Sequence, residues 1–126
     1  MRSHVNLLGI LHLVWGGMGL LLAGSLLMLA GGAAAIARTT ASDPLTAGFT
    51  AALFVLFAVA LATAGCVNAW AGRAIRQHRA SGRLAALALA VLNVFILPFG
   101  TALAIYDFWV LLNNDARHLF EPPAGT

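Results

Sequence analysis

Charge is nearly missing from this chain. No Asp, Glu, Lys or Arg occurs from Val5 to Ala37 or from Pro44 to Gly72, and Leu84 to Leu112 contains only Asp107. Charged residues make up 9% of the sequence and hydrophobic ones 61%, against roughly 25% charged in soluble globular domains. Such a composition excludes an ordinary water-facing surface. Cysteine is scarce as well: Cys66 stands alone, which excludes an internal disulfide, and its place inside an apolar stretch suits a small packing residue. No nucleophile–base pair, glycine-rich phosphate loop or paired carboxylate is legible, so the sequence carries no enzyme reading. Ser25 and Thr63 are expected to bond a preceding carbonyl rather than to react. Of the four histidines only His12 lies inside an apolar stretch. A bis-histidine haem therefore lacks its second ligand, no Cys/His/acid cluster has zinc spacing, and no cofactor is expected.

What is present is length without charge. The three apolar stretches read as membrane helices, because crossing a hydrocarbon core of about 30 Å takes roughly 20 residues at about 1.5 Å each. Arg73, Arg76, Arg79 and Arg83 lie between the second and third with no acid among them. Short loops rich in Lys and Arg stay cytoplasmic, so this one orients the chain and also offers cations to lipid head groups. The sequence pI near 10.6 needs no nucleic-acid partner, since only seven residues are basic and four of them lie in that segment. The first apolar run is much longer than the roughly 7–15 residues of a signal peptide's core and is expected to be retained as a span.

One membrane domain over residues 1–126 follows, all-α, with the N-terminus and residues 73–83 in the cytoplasm and, where the last stretch crosses twice, the C-terminus as well. The first helix is expected over about residues 5–34 and the second over about 45–72. Arg38–Thr46 forms an outer connection in which Ser42 or Asp43 caps the second helix, and Pro44 suits its first position. Leu84–Leu112 is too long for one crossing and too short for two full ones. Pro98-Phe99-Gly100 lies near its middle, where a proline that disfavours helix before it and a permissive glycine make either a corner or a kink.

The segment Pro98-Phe99-Gly100-Thr101-Ala102-Leu103-Ala104-Ile105-Tyr106-Asp107-Phe108-Trp109-Val110-Leu111-Leu112 resembles the C-terminal signature of a widespread group of small, uncharacterised bacterial membrane proteins. Leu92-Asn93 matches the start of that signature, and Leu8-Gly9-Ile10-Leu11-His12 with Gly16-Gly17 resembles the group's opening. Ala104 replaces a usual glycine and Asp107 a usual small apolar residue. The resemblance implies a four-helix membrane bundle in the bacterial inner membrane, two long helices followed by a short hairpin (about 81–97 and 101–115) that turns outside the membrane at Pro98–Gly100. It implies no activity.

Small residues recur at steps averaging 3.5 along both long stretches: Gly9, Gly16, Gly19 and Ala23, with His12 in the series, then Ala58, Ala62, Gly65, Ala69 and Gly72. Such seams let helix backbones approach closely where no hydrophobic force drives them together. They are expected to be buried, either within one chain or between copies. Four polar side chains interrupt the apolar runs. His12, Asn68 and Asp107 fall in the same half of the membrane in the hairpin topology, and Asn93 and Asp107 are equally far from Gly100, which makes Asn93 the favoured partner of Asp107. An ionised carboxylate costs about 2.5–3.5 kcal/mol at a membrane helix centre even on the lenient scale. The cluster is therefore either a proton or cation site or an interhelical hydrogen bond around a neutral acid. Two functions follow from different classes: a non-enzymatic bundle acting through helix association, as a homo-oligomer or an accessory subunit of a membrane complex, or a small oligomeric channel or proton-coupled transporter built on Asp107.

Overall fold

A computed structural model describes residues 2–39, 43–95 and 98–121. It is all-helical, with five helices among the described residues: α1 (Arg2–Thr39), α2 (Pro44–Arg76), α3 (Ala80–Asn93), α4 (Phe99–Leu111) and α5 (Asn114–Arg117). α1 and α2 are 38 and 33 residues long, about 57 and 50 Å at 1.5 Å per residue. Both are apolar and long enough to cross a membrane. The packing divides the chain into two compact units, Met1–Trp15 with Val67–Thr126 and Gly16–Cys66.

In the Gly16–Cys66 unit the two long helices touch through glycine. A Cβ added to Gly65 would fall 2.8 Å from the Gly16 carbonyl oxygen, and one on Gly19 would fall 3.4 Å from the Gly65 Cα. Ala23 and Ala58 are buried on the same seam, whereas Ala62 is half-buried. Asp43 starts α2: its Oδ1 accepts the Leu45 N–H at 3.1 Å and its Oδ2 the Thr46 hydroxyl at 2.8 Å. This is an N-cap with Pro44 in the first helical position. Ser42, the other candidate cap, lies outside the described residues. Ser25 and Thr63 donate to the carbonyls of Leu21 and Val59 at 3.0 and 2.8 Å. Cys66 is exposed rather than packed, because Gly65 beside it takes the seam position.

The other unit is built on Gly9 and Gly72. A Cβ on Gly72 would lie 2.5 Å from the Gly9 carbonyl oxygen and 3.0 Å from both the His12 Cβ and the Leu13 nitrogen. Its core contains Val5, Leu8, Ile75, Ala86, Leu103, Val110, Leu111, Ala116 and Phe120, with Trp15 and Tyr106 packed against it. Ala69 is half-buried.

The basic segment is much less of a loop than its composition suggests. Arg73 and Arg76 lie in the last turn of α2, Arg79 is the N-cap of α3 and Arg83 is inside α3. Only Gln77–Arg79 connect the two helices. His78 adopts φ 54°, its N–H bonds the Ile75 carbonyl at 2.9 Å, and the Arg79 N–H bonds the Ala74 carbonyl at 3.0 Å. These two bonds form a Schellman closure, with histidine at the left-handed position that glycine usually fills. Its ring rests against Phe120, centroids 6.0 Å apart. The close approach of α3 to α2 depends on Gly82, where a Cβ would meet Ala74 at 2.7 Å.

α3 and α4 pack against each other, but the chain leaves helix earlier than expected. α3 ends at Asn93, not residue 97, and Phe99 and Gly100 already belong to α4. The chain therefore turns ahead of the proline, consistent with the bias against helix in residues that precede one. The Thr101 hydroxyl donates to the Val94 carbonyl at 2.9 Å and ties the two ends together. Ile96 and Leu97 lie outside the described residues. α4 stops at Leu111 rather than 115, because the Asn113 side chain accepts the Asp115 N–H at 3.1 Å and starts a new turn, α5. Arg83 Nε donates to the Leu111 carbonyl at 3.0 Å, placing a cation on the negative end of α4.

Candidate functional site

The first-half residues of α1 and the residues of α4 converge on one buried pair. His12 sits between Leu8 and Gly16 on the face of α1 that also presents Val5 and Gly9, so helical periodicity directs it inward. Asp107 occupies the inward face of α4 with Leu103, Ala104, Val110 and Leu111. Both side chains are 0% exposed, and His12 Nε2 stands 3.5 Å from Asp107 Oδ2. Neither Nε2 nor either carboxyl oxygen forms a hydrogen bond among the described residues.

Stereochemistry sets the proton count. His12 Nδ1 is 3.3 Å from the Leu8 carbonyl, and a carbonyl only accepts, so Nδ1 carries hydrogen. In a neutral imidazole Nε2 then presents a lone pair, and so does an ionised Asp107. Two lone pairs 3.5 Å apart repel. The approach is favourable with one proton between them, as a carboxylic acid facing imidazole or as imidazolium facing carboxylate. Asp107 Oδ1 keeps acceptor capacity that no described donor uses, which is a place for a water or a cation.

Asn93 is not the partner that the sequence favoured. It is the last residue of α3, whereas Asp107 lies eight residues into α4, about 12 Å along its axis from Phe99. Equal spacing from Gly100 lost its meaning once the reversal moved ahead of Pro98. Asn93 is buried, and its Nδ2 has no hydrogen-bond partner among the described residues. Asn68 is buried on α2 at 4% exposure.

A second polar region surrounds the ends of the long helices. The Tyr106 hydroxyl and His4 Nδ1 are hydrogen-bonded at 3.1 Å. The Trp109 ring meets His4 edge-on at 5.6 Å and stacks on Tyr106 at 6.0 Å. Residues Asn6, Ile10, Arg73, Arg76 and Gln77 line an open groove of about 490 Å³. Sequence reasoning grouped all four arginines. The structure separates them, with Arg73 and Arg76 on the groove and Arg83 capping α4. Asn6 and Gln77 carried no signal in sequence, because amides near helix ends are ordinary surface residues. Among the described residues no group of three or more His, Cys, Asp or Glu is placed to hold a metal ion. No family model, curated protein or solved structure matches the chain.

Proposed function

We propose that this protein is a non-enzymatic, multi-pass inner-membrane helix bundle that works by helix association, as a homo-oligomer or as a small accessory subunit of a membrane complex. Both termini and the Arg73–Arg83 segment face the cytoplasm by the excess of arginine there. α3 and α4 contain 14 and 13 residues, so each leg extends about 20 Å, less than the roughly 30 Å of hydrocarbon. Phe95 and Phe99 at its tip are 82% and 72% exposed. Leg length and an aromatic tip both favour a hairpin that ends inside the apolar layer, in place of the external turn that the resemblance implied.

The observation that carries the association reading is a second set of glycines. Gly9, Gly16, Gly19, Gly65 and Gly72 are used within the chain, but Gly17, Gly24 and Gly31 recur at seven-residue steps along α1, and a Cβ on any of them meets nothing within 4 Å. A heptad of glycines on an uncovered face suits close approach by another membrane helix. Gly24→Leu should therefore leave the fold intact and convert an oligomer or co-purifying complex into a monomer in mild detergent. A parent chain that is strictly monomeric, without partner or self-crosslinks in native membranes, would remove this function.

A second reading, an oligomeric channel or proton-coupled transporter, is favoured by the single-proton geometry of His12 and Asp107. Reconstituted in liposomes, the parent should then carry a proton or cation flux that Asp107→Asn abolishes. Absence of flux, or flux indifferent to the substitution, eliminates Asp107 from such a role.

A further inference from the structure

The groove at the start of α1 and the end of α2 gathers cationic and amide side chains. Two guanidiniums, Arg73 and Arg76, share it with the amide side chains of Asn6 and Gln77, and no acid lines it among the described residues. The ion pairs found among the described residues are His12–Asp107, Arg117–Glu121 and His118–Glu121, so no described carboxylate neutralises either arginine. The adjoining carbonyls at the end of α2 are already occupied by the N–H groups of Gln77, His78 and Arg79. Their negative end, which would otherwise oppose an anion, is thus partly satisfied.

Arg76 is also held in place. A Cβ on Gly9 would fall 2.6 Å from Arg76 Cγ, so the arginine stem lies directly over the bare glycine backbone. Without a side chain at residue 9 the guanidinium reaches the groove with its stem supported against α1. Below the polar groups the lining becomes apolar: Ile10 borders the groove, and Leu7 and Val14 continue the exposed face of α1 at 48% and 55% exposure. Trp70, 51% exposed, shares a face of α2 with Arg73 by its i, i+3 spacing.

We infer that this groove binds the phosphate of an anionic phospholipid head group, with Arg73 and Arg76 as the cationic clamp, the amides of Asn6 and Gln77 as additional donors, and the Ile10–Val14 face of α1 along the acyl chain. Forked guanidiniums match phosphate oxygens in pairs. A soluble phosphate would use the same donors but would gain nothing from the apolar lining. The inference rests on the membrane reading above, and the two fail differently: a chain that remains monodisperse in buffer without detergent overturns the membrane reading itself.

The test is lipid retention, by native mass spectrometry, of the protein in nanodiscs of phosphatidylcholine doped with phosphatidylglycerol. The parent should keep phosphatidylglycerol preferentially. Arg73→Gln with Arg76→Gln should lower that preference by about thirtyfold, through the loss of two guanidinium–phosphate contacts at about 1 kcal/mol each. Arg79→Gln with Arg117→Gln removes the same charge away from the groove and should change it little. Arg76→Lys keeps the charge without the fork and should fall between. Equal losses in the two double variants would reduce the effect to general electrostatics and overturn the site. Binding of inorganic phosphate in pure phosphatidylcholine discs, with no preference for phosphatidylglycerol, would overturn lipid as the occupant.

Discussion

His12→Leu is expected to destabilise the protein by about 3–5 kcal/mol, because it leaves the Asp107 carboxyl buried with no hydrogen-bond partner among the described residues. Asp107→Leu should cost less, about 1–3 kcal/mol, since it strands only the neutral Nε2 of an imidazole that keeps its bond to Leu8. The double variant should return close to the parent, as replacing a buried pair by apolar side chains often does. Denaturation in mixed detergent micelles, run as a double-mutant cycle, measures the coupling directly. Additive costs would mean that the 3.5 Å approach carries no energy and that the two groups are merely neighbours.

The second large effect comes from the seam. Gly72→Val should abolish the folded state in micelles, and Gly72→Ala should already cost about 1–3 kcal/mol, the usual range for overpacking. The first added carbon would lie 2.5 Å from a main-chain oxygen of Gly9, and a backbone atom cannot rotate aside. Gly17→Ala, one step away from the seam on α1, adds a carbon where nothing in the same chain lies within 4 Å and should leave the fold of the single chain unchanged. If both alanine variants behaved alike in the same assay, the close approach of α1 and α2 at Gly9 and Gly72 would not be a source of stability.

The two long helices were legible in the sequence because they depend on composition and on a 3.5-residue period, both properties of the unbroken chain. Gly9, Gly16, Ala23, Ala58 and Gly65 are buried for the reason their spacing suggested. The period chose Gly16 over its neighbour Gly17, and it is Gly16 whose carbonyl meets Gly65; the uncovered face carrying Gly17, Gly24 and Gly31 was not read from the sequence. Helix ends were less legible. α1 runs to Thr39, five residues past the expected end, because an alanine-rich segment favours helix and the Thr39 hydroxyl bonds back to the Ala35 and Ile36 carbonyls. α3 ended four residues and α4 began two residues before the expected points, and that slip undid the pairing of Asn93 with Asp107. His12 was legible as a candidate, but its selection depended on α4 packing beside α1, which no local pattern encodes. The left-handed His78 gave no signal at all, since the residue type that marks such a closure is glycine.

The shortness of α3 and α4 has a consequence for biogenesis. In the membrane reading, neither leg is long enough to be laid across the bilayer by itself, so the insertion machinery cannot release α3 before α4 has been made. The two must leave it together, already folded back on each other, with the Thr101–Val94 bond covering one polar group as they do. Arg83 then has its counterpart at once, because the carbonyl of Leu111 that it bonds arrives at the same membrane surface from the far end of the same hairpin. A ribosome arrested after residue 97 would hold a chain whose last helix is still waiting, whereas one arrested well beyond Leu111 would hold a finished hairpin. Site-specific crosslinking to lipid along those arrested lengths would therefore change in one step, not two.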